Sequence, residues 1–255
     1  MSPNPLKKKI KNGDLLLGSI TPAFTPYAVS TVCNADIDFM WMDTEHFPYG
    51  AEALDVVPIL ARQRGVAPMV RVAWNDPALI KKALDAGAVA VMIPQVDTPE
   101  QAEQAVSYTY YAPNGKRGVS PLWPLVAGED FNETIKNAND ETVLVVQLES
   151  VEAYEHIDTI KQIPGIDVIF VGPLDLSASV GRITETSSPE VQEIMKDVPK
   201  RLEGSGVMAG TTLVDPADIQ EKIEWGYRYI NVGSPLAYGV SVLQNHLDTL
   251  RHDNL

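Results

Sequence analysis

Cysteine is nearly absent: Cys33 is the only one among 255 residues. That excludes an intrachain disulfide and any cysteine-built metal centre. Positive charge is also scarce, with 20 Lys and Arg against 34 Asp and Glu, a formal net charge of -14. Nucleic acid and anionic membranes both require clustered cations, so neither is an expected partner. The acidity reads as a solvated surface. No apolar run approaches the roughly 18 residues that a spanning helix needs. Lys7, Lys8 and Lys9 crowd the start of the chain, but no apolar stretch of signal-peptide type follows them. The expectation is a cytoplasmic protein. No composition shift, linker, repeat or low-complexity tract divides the chain, which predicts one domain over residues 1–255.

What the chain does contain is alternation. Apolar runs at 15–20, 39–43, 68–72, 88–94, 143–149, 168–172, 207–213 and 227–233 read as buried strands. Between them lie helical stretches, many opened by proline at the first position, as in Asp76-Pro77, Thr98-Pro99 and Ser188-Pro189. A basic helix over 6–12 with Gly13 as its C-cap precedes the first strand. Further helices are expected over 26–35, 51–63, 129–139, 151–162, 189–204, 216–226 and 236–251. Eight strands alternating with helices give an α/β fold, the (β/α)8 TIM barrel. The stretch 112–128 holds Pro113, Gly115, Gly118, Pro121, Pro124 and Gly128, too many breakers for an element. A long loop of this kind is expected to be functional.

The chain is organised around Val168-Ile169-Phe170-Val171-Gly172-Pro173-Leu174-Asp175. A buried strand breaks at Gly-Pro and delivers a carboxylate just past its end, where such barrels keep their chemistry. The preceding strand, Val143 to Leu148, ends in Glu149. Neighbouring strands lie about 4.8 Å apart, so Glu149 and Asp175 are placed to converge at one rim. Two facing carboxylates repel unless a proton or a cation sits between them. The alternative is that each acid caps a helix or pairs with a surface base. Gln147 shares a strand face with Glu149 by the period of two. Arg71 interrupts an apolar strand, where an unpaired cation is costly; it either bridges to Glu45 or another rim acid, or faces charge developing on a substrate. His46 alone among the four histidines falls at a strand end, three residues after Asp43, which is placed to fix its tautomer. His156, His246 and His252 read as solvated.

Asp43-Thr44-Glu45-His46, Arg117-Gly118, Gln147-Leu148-Glu149 and Gly172-Pro173-Leu174-Asp175-Leu176-Ser177, in this order, resemble the HpcH/HpaI aldolase family of metal-dependent (class II) pyruvate aldolases. The resemblance runs from Leu6 to the eighth strand. It implies a barrel of the phosphoenolpyruvate/pyruvate type in which Glu149 and Asp175 hold a divalent metal. It further implies that His46 and Asp43 form a catalytic pair, Arg71 supports an enolate, and Gln147 helps hold the substrate. An acid matching Asp85 reaches a neighbour's site in such assemblies. The family forms trimers or hexamers, with the last helix exchanged between subunits, so a homo-oligomer is implied. Two carboxylates without Cys or His favour Mg²⁺ or Mn²⁺, with Co²⁺ as a further option. The implied substrates are a small 2-oxo acid, pyruvate above all, and an aldehyde. Backbone N–H groups in the loop from Gly172 to Asp175, where Pro173 itself has none, are placed to meet the substrate carboxylate, as helix starts do. Phe47, Tyr49, Trp123 and Leu213 are candidates to wall the aldehyde side. Relative to the family, Phe47 stands where glycine is common, Leu174 where alanine is common, and Gly233-Ser234-Pro235 where Gly-Ser-Asp is common. Lys81 and Lys82 fall on a helix, which leaves an imine mechanism without support. The rival readings are a malyl-CoA or citramalyl-CoA type thioester lyase, which needs a cationic groove, and a catalytically silent metabolite-binding barrel.

Overall fold

Strands β1 (Leu16–Ile20), β2 (Phe39–Asp43), β3 (Ala67–Arg71), β4 (Ala90–Ile93), β5 (Val143–Leu148), β6 (Val168–Val171), β7 (Met208–Thr212) and β8 (Tyr229–Asn231) each pair in parallel with the next, and β8 closes onto β1. This computed structural model, which describes residues 4–252, is therefore the closed (β/α)8 barrel that the alternation predicts. The helices are α1 (Leu6–Asn12), α2 (Pro26–Val32), α3 (Val57–Gln63), α4 (Pro77–Asp85), α5 (Pro99–Thr109), α6 (Trp123–Ala127), α7 (Phe131–Glu141), α8 (Val151–Ile160), α9 (Pro173–Ser179), α10 (Pro189–Leu202), α11 (Pro216–Trp225) and α12 (Pro235–His252). Local chemistry sets many of their starts. Thr25, Asp76, Thr98, Asp130, Ser150 and Asp215 each accept a hydrogen bond from the first turn that follows, and Thr98 with Gln101 completes a reciprocal capping box. Gly13 ends α1 at a φ of 75°, as expected for a left-handed C-cap.

Successive residues of a strand face opposite ways. One set, including Phe39, Trp41, Met69, Val145, Phe170 and Tyr229, fills the barrel interior. The other, including Met40, Met42, Val70, Val91, Val146 and Ile169, packs against the helices. Inside, Phe39 stacks on Tyr229 at 4.1 Å between ring centroids, and Trp41 meets Phe170 edge-on at 5.5 Å. Gly18 makes room for this cluster, since a Cβ there would lie 2.2 Å from the Phe39 ring. Leu6 and Ile10 of α1 join the same cluster from the N-terminal end of the strands. That end is closed by apolar packing. Continuing the inward period past this layer brings Asp43, Arg71 and Gln147 to the opposite, C-terminal mouth.

Some boundaries differ from expectation. The stretch 51–63 is a single turn of 3₁₀ helix at Ala51–Ala53 followed by α3, because Asp55 takes a φ of 36° between them. The α9 helix begins at Pro173, so Asp175 lies in its first turn rather than in a loop before it. The breaker-rich 112–128 stretch contains α6. It also connects α5 to β5, and so runs at the N-terminal end of the barrel, away from the polar mouth. Among the described residues no helix is long and apolar enough to cross a membrane.

Candidate active site

Asp43 ends β2 and Arg71 ends β3, and the two are register partners. The Arg71 guanidinium donates to both Asp43 oxygens, Nε to Oδ1 at 2.9 Å and Nη2 to Oδ2 at 2.6 Å. A planar fork meeting a carboxylate in this way fixes both side chains. Below them the Trp41 ring lies 4.7 Å from the guanidinium carbon. The remaining Arg71 nitrogen, Nη1, is turned toward Glu45 Oε2 at 3.1 Å and Gln147 Oε1 at 3.5 Å. Asp43 is therefore committed to Arg71. The expected Asp43–His46 pair is not formed, because the short Asp43 side chain points into the barrel while the chain turns outward by His46.

The polar chain continues across the mouth. Gln147 Nε2 donates to Glu149 Oε2 at 2.9 Å, and the Gln95 backbone N–H donates to Glu149 Oε1 at 2.8 Å. Gln95 holds a φ of 52° just past β4, a turn that aims its N–H inward. Burial pushes the Glu149 carboxyl up to about 7; the Gln95 N–H works against this, Asp175 and Glu45 reinforce it, and Arg71 opposes it. Gly172, at the end of β6, faces the same carboxylate. A Cβ at Gly172 would sit 2.9 Å from Glu149 Oε2 and 3.4 Å from Gln147 Nε2. Asp175, exposed in the first turn of α9, is close enough for its charge to raise both Glu149 and Glu45. Pro173 is buried beside it, and Leu174 is 56% exposed at the rim.

The turn after β2 is pinned to β3: Thr44 donates to the Arg71 carbonyl through its N–H at 2.9 Å and its hydroxyl at 2.7 Å. The Glu45 N–H donates to Asp43 Oδ1 at 3.0 Å. These bonds turn the Glu45 side chain inward, where it is 12% exposed, and His46 outward, where it is 62% exposed. The His46 Nε2 lies 3.8 Å from Glu45 Oε2. Phe47 meets Tyr49 edge-on at 6.2 Å, and Tyr49 stacks on Phe24 at 4.6 Å. Leu213 follows β7 directly and is half-buried, its N–H donating to the Asn231 carbonyl.

Two expected site residues do not join this mouth in their own chain. Asp85 is the last residue of α4, at the N-terminal end of the barrel, and accepts from Arg117 Nη2 at 2.7 Å. Trp123 is buried under Arg62 at 4.3 Å, and a Cβ on Gly87 would touch it at 3.4 Å. Arg62 and Gly87 belong to the same far end, so Trp123 cannot wall the pocket beside Phe47. His156 is half-buried rather than solvated, its Nδ1 lying 2.9 Å from the Asp97 carbonyl. Conversely, Gln95 and Trp41 belong to the site without having been singled out, and Glu45, expected only as an ion-pair partner for Arg71, belongs to it in that place. The Glu45 signal was its place between Asp43 and His46, and that of Gln95 its place one turn past a strand end.

Among the described residues no three or more His, Cys, Asp and Glu side chains gather into a ready-made metal cluster. Glu149 and Asp175 alone supply two hard oxygen donors on adjacent elements. The Glu149 carboxyl resists carrying its charge unaided, and Gly172 keeps the space over its Oε2 clear. This donor set fits an oxygen-seeking divalent cation whose other positions go to water and substrate. The mouth as a whole is acidic, with Arg71 as the buried cation among Asp43, Glu45, Glu149 and Asp175.

Comparisons with known proteins bear on this site. A model of the HpcH/HpaI aldolase/citrate lyase family matches residues 18–239. The 2-keto-3-deoxy-L-rhamnonate aldolase of Salmonella paratyphi A is 36% identical over 249 residues, covering 96% of this chain and 92% of that one. The crystal structure of an HpcH/HpaI aldolase/citrate lyase family protein from Burkholderia cenocepacia J2315 superposes with a TM-score of 0.90 at 29% identity, covering 97% of this chain and 99% of that one. An HpcH/HpaI aldolase from Desulfitobacterium hafniense DCB-2 gives a TM-score of 0.88, also at 29% identity, covering 96% of each chain.

Proposed function

This chain belongs to the HpcH/HpaI aldolase/citrate lyase family, and we propose that its mouth cleaves 4-hydroxy-2-oxo acids to pyruvate and an aldehyde with a divalent cation held by Glu149 and Asp175. The chain is an enzyme, an aldolase. The observation that carries the finer reading is the hydrogen-bonded chain Asp43–Arg71–Gln147–Glu149, with Asp175 beside its end. It puts a fixed guanidinium and two oxygen donors around one small space.

Mg²⁺ or Mn²⁺, or Co²⁺ as a further option, would draw electron density from the substrate's 2-oxo group and so make charge on that oxygen less costly. Everything else falls to the side chains. Gln147 and Arg71 Nη1 orient the 2-oxo acid. In cleavage, a base takes the proton of the 4-hydroxyl and the C3–C4 bond breaks. Its electron pair moves onto the 2-oxo oxygen as an enolate, and the hydroxyl carbon leaves as the aldehyde. A proton returned to C3 completes pyruvate, so atoms and charge balance. Arg71 faces the developing negative charge, already held in position by Asp43. His46 is the exposed base at the rim. Phe47, Leu174 and Leu213 line the side open to the aldehyde, an apolar border suited to a short aldehyde. The relatives' name makes 2-keto-3-deoxy sugar acids the first substrates to try.

A homo-oligomer, trimer or hexamer, is part of the same reading. The α12 helix buries none of its residues, and Leu236, Val240, Leu243, Leu247 and Leu250 form a stripe at helical spacing, 60%, 49%, 57%, 38% and 61% exposed. In such an assembly Asp85 and Trp123 are candidates for a neighbour's mouth rather than their own.

The test is pyruvate release from 2-keto-3-deoxy-L-rhamnonate and other 4-hydroxy-2-oxo acids, with Mg²⁺, with Mn²⁺ and with chelator. Turnover is expected only with metal. Turnover that survives chelation excludes the cation's role, and a silent panel favours a binding protein instead.

A further inference from the structure

At the end of the barrel opposite the mouth, where β1, β7 and β8 begin, a cavity of about 560 Å³ opens between the last turns of α1, α10 and α11. Small ligands are held in spaces of this size. Ile10, Leu202, Met208 and Ala209, all buried, give it an apolar floor, and Trp225 stands half-buried at its wall. Lys222 Nζ lies 3.8 Å from the Trp225 ring centroid and fixes that ring. The border is cationic: Lys11, Lys200 and Arg228 face one carboxylate, Glu203. The chain has 34 acids for 20 bases, yet none of these three cations forms a salt bridge among the described residues. Arg228 Nη1 donates to the Ile223 and Tyr227 carbonyls at 2.7 and 2.8 Å, which anchors the guanidinium and leaves Nε and Nη2 without a partner among the described residues. The N–H groups of Gly204 and Gly206, on the same wall, bond to nothing among the described residues either. Helix C-termini favour basic residues in their last turns, which explains each cation singly. It does not explain why three such ends surround one hollow with an apolar floor and an indole wall.

We propose that this cavity is a second binding site, for a small organic anion with a flat aromatic body. The ring lies on the Met208–Ala209 floor against Trp225, and the carboxylate or phosphate meets Arg228, Lys11 and Lys200. The site stands apart from the acidic mouth and goes beyond the aldolase reading. An aromatic body recovers apolar area on the floor and an offset contact with the indole. The free edge of the anchored guanidinium presents two nitrogens to two oxygens of the anionic group. Glu203 offsets one of the three positive charges, so the border keeps a positive surplus. With a net charge of -14, most of the surface repels anions; here the local sign is reversed, which draws an anion to this end of the barrel.

The test uses the full chain in its native assembly, labelled with fluorotryptophan, which gives one fluorine NMR signal for each of Trp41, Trp74, Trp123 and Trp225. Trp225→Phe assigns the cavity signal and Trp41→Phe that of the mouth. Adenosine monophosphate and indole-3-acetate are titrated in, with inorganic phosphate and neutral indole as controls, and calorimetry gives Kd. Saturable movement of the Trp225 signal by either anion, with Trp41 still, is expected at a Kd of about 1 mM or below. Which of the two binds tells phosphate from carboxylate. Lys11→Glu with Lys200→Glu reverses two exposed charges without touching the floor. It is expected to weaken binding about tenfold or more and to flatten its salt dependence, with pyruvate release unchanged. No saturable shift at Trp225 with either anion overturns the proposal. Equal affinity in the double variant, or for neutral indole, leaves an apolar hollow that does not read charge and overturns it too. The same movement with inorganic phosphate alone would mean an adventitious ion only, and movement of Trp41 in place of Trp225 would put the anion at the mouth; both outcomes overturn it. The readout is binding at the closed end, so a silent aldolase assay leaves this proposal standing, and its failure leaves the aldolase reading untouched.

Discussion

Arg71 grips Asp43 through a two-pronged contact across adjacent strands, and Asp43 is only 1% exposed. The pair orients the one buried guanidinium of the mouth, so its two halves are not interchangeable with near neighbours. Arg71→Lys keeps the charge but loses the fork. It is expected to fold and to lose about a hundredfold in kcat, the scale of removing one oriented donor. Arg71→Ala strands a buried carboxylate and is expected to cost about 3–5 kcal/mol of stability. Thermal melts and steady-state kinetics on both variants check this; a Lys variant of full activity would remove Arg71 from the chemistry.

The Glu149 carboxyl sits at about 7 against an ordinary 4.5. Between those values the folded chain without cation holds a proton that the unfolded chain has released. This group's contribution to stability is therefore greatest below about pH 4.5, falls as pH rises, and levels off above about 7. A bound cation replaces that proton. The rise in Tm produced by Mg²⁺ is expected to be small at pH 5.5 and to grow through pH 7 to a plateau near pH 8. Scanning fluorimetry with Mg²⁺ against chelator reads this directly, and a Mg²⁺ effect independent of pH would separate Glu149 from the cation.

Gly172 has a φ of -91°, which alanine adopts without strain. Its Cβ would nevertheless stand 2.9 Å from Glu149 Oε2. Gly172→Ala is expected to leave the fold intact and weaken Mg²⁺ binding about 10- to 100-fold by displacing the carboxylate, the scale seen when a ligand's support is lost. Calorimetric titration with Mg²⁺ measures it; unchanged affinity would place the cation elsewhere.

At the closed end, Lys7 Nζ donates to the Thr142 carbonyl at 2.6 Å and to the Tyr110 hydroxyl at 3.2 Å, and pairs with Asp167 at 3.3 Å. Burial lowers the Lys7 ammonium and raises the Asp167 carboxyl, while each opposes the shift of the other. Lys7→Met leaves Asp167 buried without its cation and is expected to cost about 3–5 kcal/mol. Denaturant unfolding should register that loss, while kcat of the folded fraction stays at the wild-type level because the mouth lies at the other end.

The α12 stripe gives a last expectation. Leu243→Glu with Leu247→Glu places two charges on the exposed apolar face. Light scattering after size exclusion is expected to find an oligomer in the wild type and a smaller species in the variant. A wild-type monomer would remove the subunit exchange from the reading.

Much of this was fixed by the order of residues alone. Unbroken apolar runs separated by capped helices can be satisfied only when both faces of each strand are covered, as in a parallel sheet, and eight such runs are the count of a (β/α)8 barrel. The period of two then sets Asp43, Arg71, Gln147 and Glu149 on inward positions before any contact is known. Tertiary structure decided which polar group meets which. Asp43 and His46 are three residues apart, yet strand register gives Asp43 to Arg71, and the pinned turn carries His46 outward to the exposed rim. It also decided the end of the barrel to which each loop belongs: the 112–128 stretch, Asp85 and Trp123 go to the closed end because helix-to-strand connections return there. Periodicity reports the face a side chain takes. Its partner depends on distances across neighbouring strands, and those exist only once the barrel has closed.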